Sequence, residues 1–279
     1  MWRLRRDSLN LQIMNRQDIT RDALIRAVAD RHSVRSYDRS RRADIGALTA
    51  WIAADRTQFD SAPVTIAPVR AVTSDFGASY GIIRGTSDYL ALIVGDGADA
   101  ATLAAAGYRM ERAILAATAM GMATCWVGGT FRAGAFEGAP LTSGARIKAV
   151  VAVGYAAERR SLIDRMFRAA VHATRRRPFE QLFFEGDLSR PYPIGGPLAR
   201  VVSLVRRAPS AANRQPWRMT ASADGASVSL YMAPDPGFQM IDAGIAMAHF
   251  DLGAPRDGVW AFEEGAVSGR PRLIARRTL

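Results

Sequence analysis

Two short stretches of this 279-residue chain hold residue types that could grip a small anionic molecule. The first is R-H-S-V-R, Arg31 to Arg35. In an extended segment alternate side chains face one side. Arg31, Ser33 and Arg35 then present two guanidinium groups and a hydroxyl together, with His32 between them. Arginine offers a planar fork of donors that suits phosphate oxygens. The second stretch is Arg206 to Trp217, R-R-A-P-S-A-A-N-R-Q-P-W. Pro209 ends the helical pattern that precedes it, because a proline disfavours helix in the residue before it. Ser210, Ala211 and Asn213 follow in a polar turn, where short side chains bond free backbone groups or a ligand. Two further features belong with these. Gly128 and Gly129 lack a Cβ and would let backbone approach a flat ligand closely. Arg175–Arg177 is a compact basic run just ahead of Pro178.

Other reactive residue types read differently. Cys125 has no His–Asp pattern near it and reads as a small buried residue rather than a nucleophile. His249 falls in a helical pattern and reads as a packed helix histidine, with a ligand-facing role the alternative. Three scattered histidines and one cysteine assemble no metal site. The G-D-G of residues 95–97 lacks the third glycine of a dinucleotide fingerprint and reads as a plain turn.

The composition limits the functional classes. With 49% hydrophobic residues the chain can bury a full core, as one large or two small domains. Its apolar runs break well short of the roughly 18 residues a membrane-spanning helix needs. The N-terminus has a basic start without an apolar region behind it, so no signal peptide is expected; residues 1–16 read as a flexible extension. A single cysteine excludes an internal disulfide and fits a reducing cytoplasm. The net charge of +11 invites a nucleic-acid reading. Yet the basic residues are nearly all arginine and are scattered, with clusters only at Arg175–Arg177 and Arg270–Arg277. No nucleic-acid-binding motif accompanies them, and nucleic acid is not an expected partner.

The elements that must position these residues follow from periodicity. Ile19, Ala23, Leu24, Ala27 and Val28 trace one helix face over residues 18–30 and deliver the Arg31–Arg35 segment. A second helix is expected over 43–54, with Asp44 near its first turn. Residues 61–74 are proline-punctuated and strand-like. Tyr89–Val94 and Ile147–Val153 are apolar runs that read as buried strands. Gly107–Met120 reads as a strong, central helix leading into the Gly128–Gly129 loop. Leu198, Val201, Val202 and Val205 recur at helical spacing up to the Pro209 turn. Two strands, 217–222 and 227–232, flank a hairpin turn at 223–226. A last amphipathic helix covers 242–252 and echoes the central one, since each is followed by a tryptophan, Trp126 and Trp260.

The stretch Ala208, Pro209, Ser210, Asn213, Gln215, Pro216 and Trp217 resembles the A-P-S-x-x-N-x-Q-P-W signature of the nitroreductase family of flavin-dependent enzymes. The short helix leading into R-x-S-x-R is similar to that family's N-terminus. Alone, that five-residue pattern is weak in an arginine-rich chain, and its position carries the weight. The helix running into the Gly128–Gly129 loop, and the basic run before P-F-E-Q-L-F-F, also resemble family segments. The likeness covers roughly residues 18–260.

The resemblance implies an α+β nitroreductase-like fold, with a mostly antiparallel sheet flanked by helices. The order of motifs is unusual for it. In family members the P-S-x-x-N turn would come near residues 61–74, where D-S-A-P-V-T-I-A-P-V stands instead. One half, about 17–186, keeps the clamp and the glycine loop; the other, about 187–279, keeps the turn. The chain therefore resembles a tandem subgroup in which two degenerate halves form a single-chain pseudo-dimer. That implies one flavin mononucleotide (FMN) site per chain, with a monomer sufficient to build it. Arg31 and Ser33, flanking His32, would hold the phosphate together with Arg176. Arg35 would reach the ribityl chain and the pyrimidine edge. Pro209, Ser210, Ala211 and Asn213 would line the ring and tail, and the Gly128 amide, next to Gly129, would face the flavin N5. No acid–base side chain is implied, since the cofactor carries the chemistry. NADH or NADPH would be the electron donor, and a nitroaromatic, quinone or similar flat molecule the acceptor. The alternative is a non-catalytic FMN-binding protein, with the span Phe179–Pro197 as a lid over the ring.

Overall fold

The computed structural model of the chain describes residues 19–158, 164, 166, 169, 175–234, 237–255, 258–263 and 271–279. The extension expected at residues 1–16 lies outside them. In chain order the elements are α1 (Arg21–Asp30), α2 (Ile45–Ala54), β1 (Val64–Ala71), α3 (Asp75–Ser79), β2 (Asp88–Gly95), α4 (Ala100–Ala119), β3 (Ala123–Val127), β4 (Phe136–Glu137) and β5 (Ala145–Gly154). They continue with β6 (Phe183–Glu185), α5 (Ala199–Arg207), β7 (Trp217–Ala221), β8 (Ser227–Met232), α6 (Gln239–Gly253), β9 (Trp260–Phe262) and β10 (Arg272–Thr278). None of these helices is long and apolar enough to cross a membrane.

The antiparallel sheet occurs twice, once in each half, and the two copies share a plan. The first has the strand order β3-β5-β2-β1-β4 and the second, read from its far edge, β9-β10-β8-β7-β6. In both, a hairpin pair (β1–β2, β7–β8) is extended by antiparallel pairing to a later strand (β5, β10), which carries a short antiparallel edge strand (β3, β9). Each hairpin also leads straight into a long helix, α4 or α6. The edge strand β6 pairs with β7 in parallel, so the second sheet already begins at Phe183, just ahead of the divide expected at 186/187.

Sequence explains the central helices. α4 is rich in alanine, the best helix former, and starts at Asp99, whose carboxylate accepts the Thr102 amide at 2.7 Å. Gly107, expected to open this helix, lies inside it, at a cost of about 1 kcal/mol relative to alanine. The reason is tertiary. A methyl on Gly107 would overlap the Ile241 carbonyl oxygen of α6, and one on Gly244 would overlap the Ala104 carbonyl oxygen of α4. The two glycines are reciprocal, each three residues after the backbone that the other meets. They let α4 and α6 cross in backbone contact, and this helix pair packs more extensively than any other pair of elements. One continuous core then runs from Leu24, Leu92 and Ile114 through Met247 and Phe250 to Trp217 and Leu230.

Pro68 sits within β1 opposite Leu90 of β2; its other neighbour, β4, pairs only with Arg70 and Ala71, so the missing amide falls where no ladder needs it. The basic tail is a different matter from its sequence appearance. Arg272–Thr278 is strand β10, and Arg277 is 1% exposed, bonded through Nε to Asp251 Oδ1 at 2.8 Å. Its partner carboxyl is pushed up by burial, against the pull of Arg277, Tyr108 and Trp260.

Candidate functional site

A cavity of about 920 Å³ opens where the two halves meet, between the end of α1, the end of β3, the end of α5 and the start of α6. Arg31, His32, Ser33, Arg35, Gly128, Gly129, Arg176, Pro209, Ser210, Ala211 and Asn213 all line it. Every site residue named from the sequence is therefore brought to one cavity, from segments up to 182 positions apart in the chain.

The Arg31–Arg35 segment is held extended. Thr20 caps α1, accepting the Ala23 amide at 3.3 Å, and the helix stops at Arg31 with an extended backbone. Ser33 then bridges to Thr124 of β3, and the Val34 amide donates to the Thr124 carbonyl at 3.0 Å. Arg35 is 6% exposed and forms an ion pair with the buried Asp164 at 3.3 Å. Its charge reaches the cavity already balanced in part, which sequence reading had not anticipated.

The turn after α5 is bound together internally. Ala212, Asn213 and Gln215 all take left-handed backbone, with φ of 49°, 56° and 51°, a conformation that asparagine tolerates and alanine resists. The Ser210 Oγ accepts the Gln215 amide at 2.8 Å, and the buried Asp242 of α6 accepts the Ala211 amide at 3.1 Å. Arg176 donates from Nη1 to Asn213 Oδ1 at 3.1 Å, while Asn213 Nδ2 donates to the Arg175 carbonyl at 2.9 Å. Gln215 is 3% exposed and accepts the Arg177 amide at 2.9 Å. The basic run and the polar turn thus fasten to each other. An amide side chain at each position donates from its nitrogen while accepting at its oxygen, and both residues use that pairing.

Charge is concentrated at this end of the cavity. Burial, together with the charges of Arg31, Arg206 and Arg207, pushes Arg176 below the ordinary arginine range. The Arg31 side chain is 6% exposed, and among the described residues its Nε meets no hydrogen-bond partner. A buried arginine nitrogen that makes no hydrogen bond among the described residues, with the Glu111 carboxylate no nearer than 3.9 Å and like charges beside it, is suited to receive an anion. The lining also includes apolar residues, among them Trp126, Phe179, Phe238, Ile241 and Ile245. A methyl on Gly128 would stand 2.7 Å from the Phe238 ring, whereas one on Gly129 would meet nothing. The residues present fit a ligand with a flat ring at one end and a phosphate at the other.

Of the span Phe179–Pro197, Phe179 lines the cavity, but Leu182, Phe183 and Tyr192 are buried core residues and β6 is part of the second sheet. Among the described residues of this span, Phe179 alone lines the cavity. Cys125 is 2% exposed, and burial pushes its thiol up, so it is the inert residue expected. His249 is fully buried, as expected of a packed helix histidine. Trp126, Arg206, Arg207, Phe238 and Asp242 also line the cavity and were not singled out for it from sequence. Their signal was weak, since a tryptophan, a helix-end arginine or a first-turn aspartate has an ordinary structural use.

The fold is that of a nitroreductase-like protein, and comparison with known proteins agrees. The family described as "Putative TM nitroreductase" matches residues 23–254, and the chain belongs to it. A putative nitroreductase from Thermotoga maritima has the same fold, with a TM-score of 0.57 and 21% identity over 91% of this chain and 92% of that one. Two other solved structures align with about half of this chain. They are the FMN-dependent nitroreductase NfnB from Mycobacterium smegmatis in complex with NADPH (TM-score 0.37, 14% identity, 48% of this chain and 88% of that one) and a Bacteroides fragilis nitroreductase with bound FMN (TM-score 0.36, 17% identity, 50% and 91%). No curated protein matches the chain.

Proposed function

We propose that this chain is an FMN-dependent oxidoreductase that takes electrons from NADH or NADPH and passes them to a nitroaromatic, quinone or similar flat acceptor. The observation that carries the reading is the meeting of both motif sets in one cavity, with the buried Arg31 Nε making no hydrogen bond among the described residues. Arg31 and Ser33, with Arg176 beside them, would hold the phosphate, and His32 would border it. Arg35 would serve the ribityl chain and pyrimidine edge, its charge steadied by Asp164. Pro209, Ser210, Ala211 and Asn213 would flank the ligand from the second half, and Gly128 and Gly129 would let backbone meet the ring. When bound, FMN supplies the hydride transfer at its N5, so the protein's task is binding, orientation and charge.

In this reading the halves 17–186 and 187–279 form a single-chain pseudo-dimer with one FMN per chain, sufficient as a monomer and working in the cytoplasm without nucleic acid. The repeated sheet plan and the reciprocal glycines of α4 and α6 support it. A second reading, a non-catalytic FMN-binding protein, draws support from Phe238, whose ring packs against Gly128 where a nicotinamide would need to approach. The visible spectrum of purified protein, followed by steady-state oxidation of NADH and NADPH with a nitro compound or quinone, tests both. Bound flavin with turnover is expected. Bound flavin without turnover would favour the second reading, and a colourless protein that takes up no added FMN would overturn both.

A further inference from the structure

Behind the cationic end of the cavity lies a buried group that the proposed chemistry does not use. Glu111 of α4 is 0% exposed. Its Oε2 accepts from Trp126 Nε1 at 2.9 Å, its Oε1 lies 3.0 Å from His249 Nε2, and Arg31 Nε stands 3.9 Å from that same Oε1. His249 of α6 is also 0% exposed, and its Nδ1 lies 3.0 Å from the Leu204 carbonyl in the last turn of α5. One carboxylate therefore touches or neighbours two cavity-lining residues, Arg31 and Trp126, and is itself held from the other half of the chain.

Donor counting decides what this cluster does. A carbonyl oxygen only accepts, so His249 Nδ1 carries a proton. The Nε2–Oε1 bond then needs one more proton, on the imidazole or on the carboxyl, since a bare ring nitrogen facing a carboxylate is repulsive. Either way Glu111 and His249 together are neutral. The charged groups on the adjoining cavity wall are Arg31 just after α1, Arg176 ahead of Pro178, Arg206 and Arg207 from α5, and Asp242 on α6. Tyr108, Arg112 and Asp251 on the same two helices are tied into bonds of their own. We propose that Glu111 and His249 are positioning residues: sharing one proton, they occupy the carboxylate so that Arg31 keeps its charge for the ligand's phosphate. Without that proton Glu111 would be a buried, unopposed anion, and Arg31 would be drawn to neutralise it. The proposal rests on the reading of the cavity as an FMN site.

The test compares FMN with riboflavin, which lacks the phosphate, by quenching of flavin fluorescence in four proteins. Wild type should prefer FMN. His249→Phe keeps a ring of similar size and strands the carboxylate, so the preference should fall about tenfold. Glu111→Gln can donate to His249 Nε2 while accepting from Trp126, and the preference should hold or rise. The double variant has no carboxylate to engage Arg31 and should recover the preference lost in His249→Phe. A role in packing alone would make the double variant no better than that single one, and this result, or an unchanged preference in His249→Phe, would overturn the proposal. Ring-¹⁵N and carboxyl-¹³C spectra of the folded wild type decide the matter if His249→Phe does not fold. Either Nε2 should carry a proton or the Glu111 carboxyl should be in its neutral form, and a bare Nε2 facing an ionised carboxylate would mean that no proton is shared. A wild type that binds neither flavin would sink the FMN reading, while the ring spectra would still judge the pair.

Discussion

Replacing Arg31 with methionine separates binding from stability. The methionine stem keeps much of the buried volume and removes the charge. In the folded protein Arg31 belongs to a cluster with Arg176, Arg206 and Arg207, whose mutual repulsion contributes to holding Arg176 below its ordinary range. Its side chain is 6% exposed, its Nε has no hydrogen-bond partner among the described residues, and its ion pair with Glu111 is long, at 3.9 Å, to an oxygen already engaged by His249, so the ligand-free protein gains little from it. With a phosphate present the balance reverses. A hydrogen bond to a charged group contributes about 1.5–3 kcal/mol, and at this burial solvent screening does little to reduce it. FMN affinity should therefore fall by roughly ten- to a hundredfold, while the melting temperature of the ligand-free protein holds or rises. Fluorescence titration gives the first quantity and a thermal melt of flavin-stripped protein the second. An unchanged dissociation constant would refute the phosphate role. A lower melting temperature with unchanged FMN affinity would show Arg31 to be structural.

Three further outcomes are expected. Gly244→Ala drives a methyl into the Ala104 carbonyl, and overpacking of about 1–3 kcal/mol outweighs the gain of about 1 kcal/mol in helix propensity; thermal melts should place it below Gly97→Ala, where a methyl meets nothing, and equal melting temperatures would refute the close crossing. Cys125, buried and with its thiol pushed up, should not react with a chromogenic disulfide reagent at pH 8 until the protein is denatured, when one thiol per chain should appear. Flavin should bind at one per chain and stay bound in the monomer, measured by light scattering coupled to absorbance at high dilution; two equivalent sites, or flavin lost in step with dissociation, would contradict a site built from one chain.

Much of the site was legible in the sequence because its parts are local. Arg31, Ser33 and Arg35 are set by the end of one helix and an extended segment, and Pro209 to Trp217 is a turn whose conformation its own prolines and amides largely dictate. Such contiguous residue types survive in one dimension. Elements with strong periodicity, such as β2 and α5, were legible for the same reason. Where the outcome depended on a partner, the sequence misled. Gly107 reads as a helix start, yet it lies inside α4 because α6 needs the space. Arg272–Thr278 reads as a basic tail, yet it is a strand whose Arg277 is neutralised by Asp251. Arg35 reads as a ligand-facing charge, and nothing in the sequence marks Asp164, which meets it across 129 positions of chain. The cluster of Arg31, Glu111, Trp126 and His249 has no sequence signature at all, because its members come from four separate segments and touch only when α4 and α6 cross. Local sterics and hydrogen bonding act between neighbours in the chain and can be read from it. Burial and charge pairing act between neighbours in space, and only the packed structure decides them.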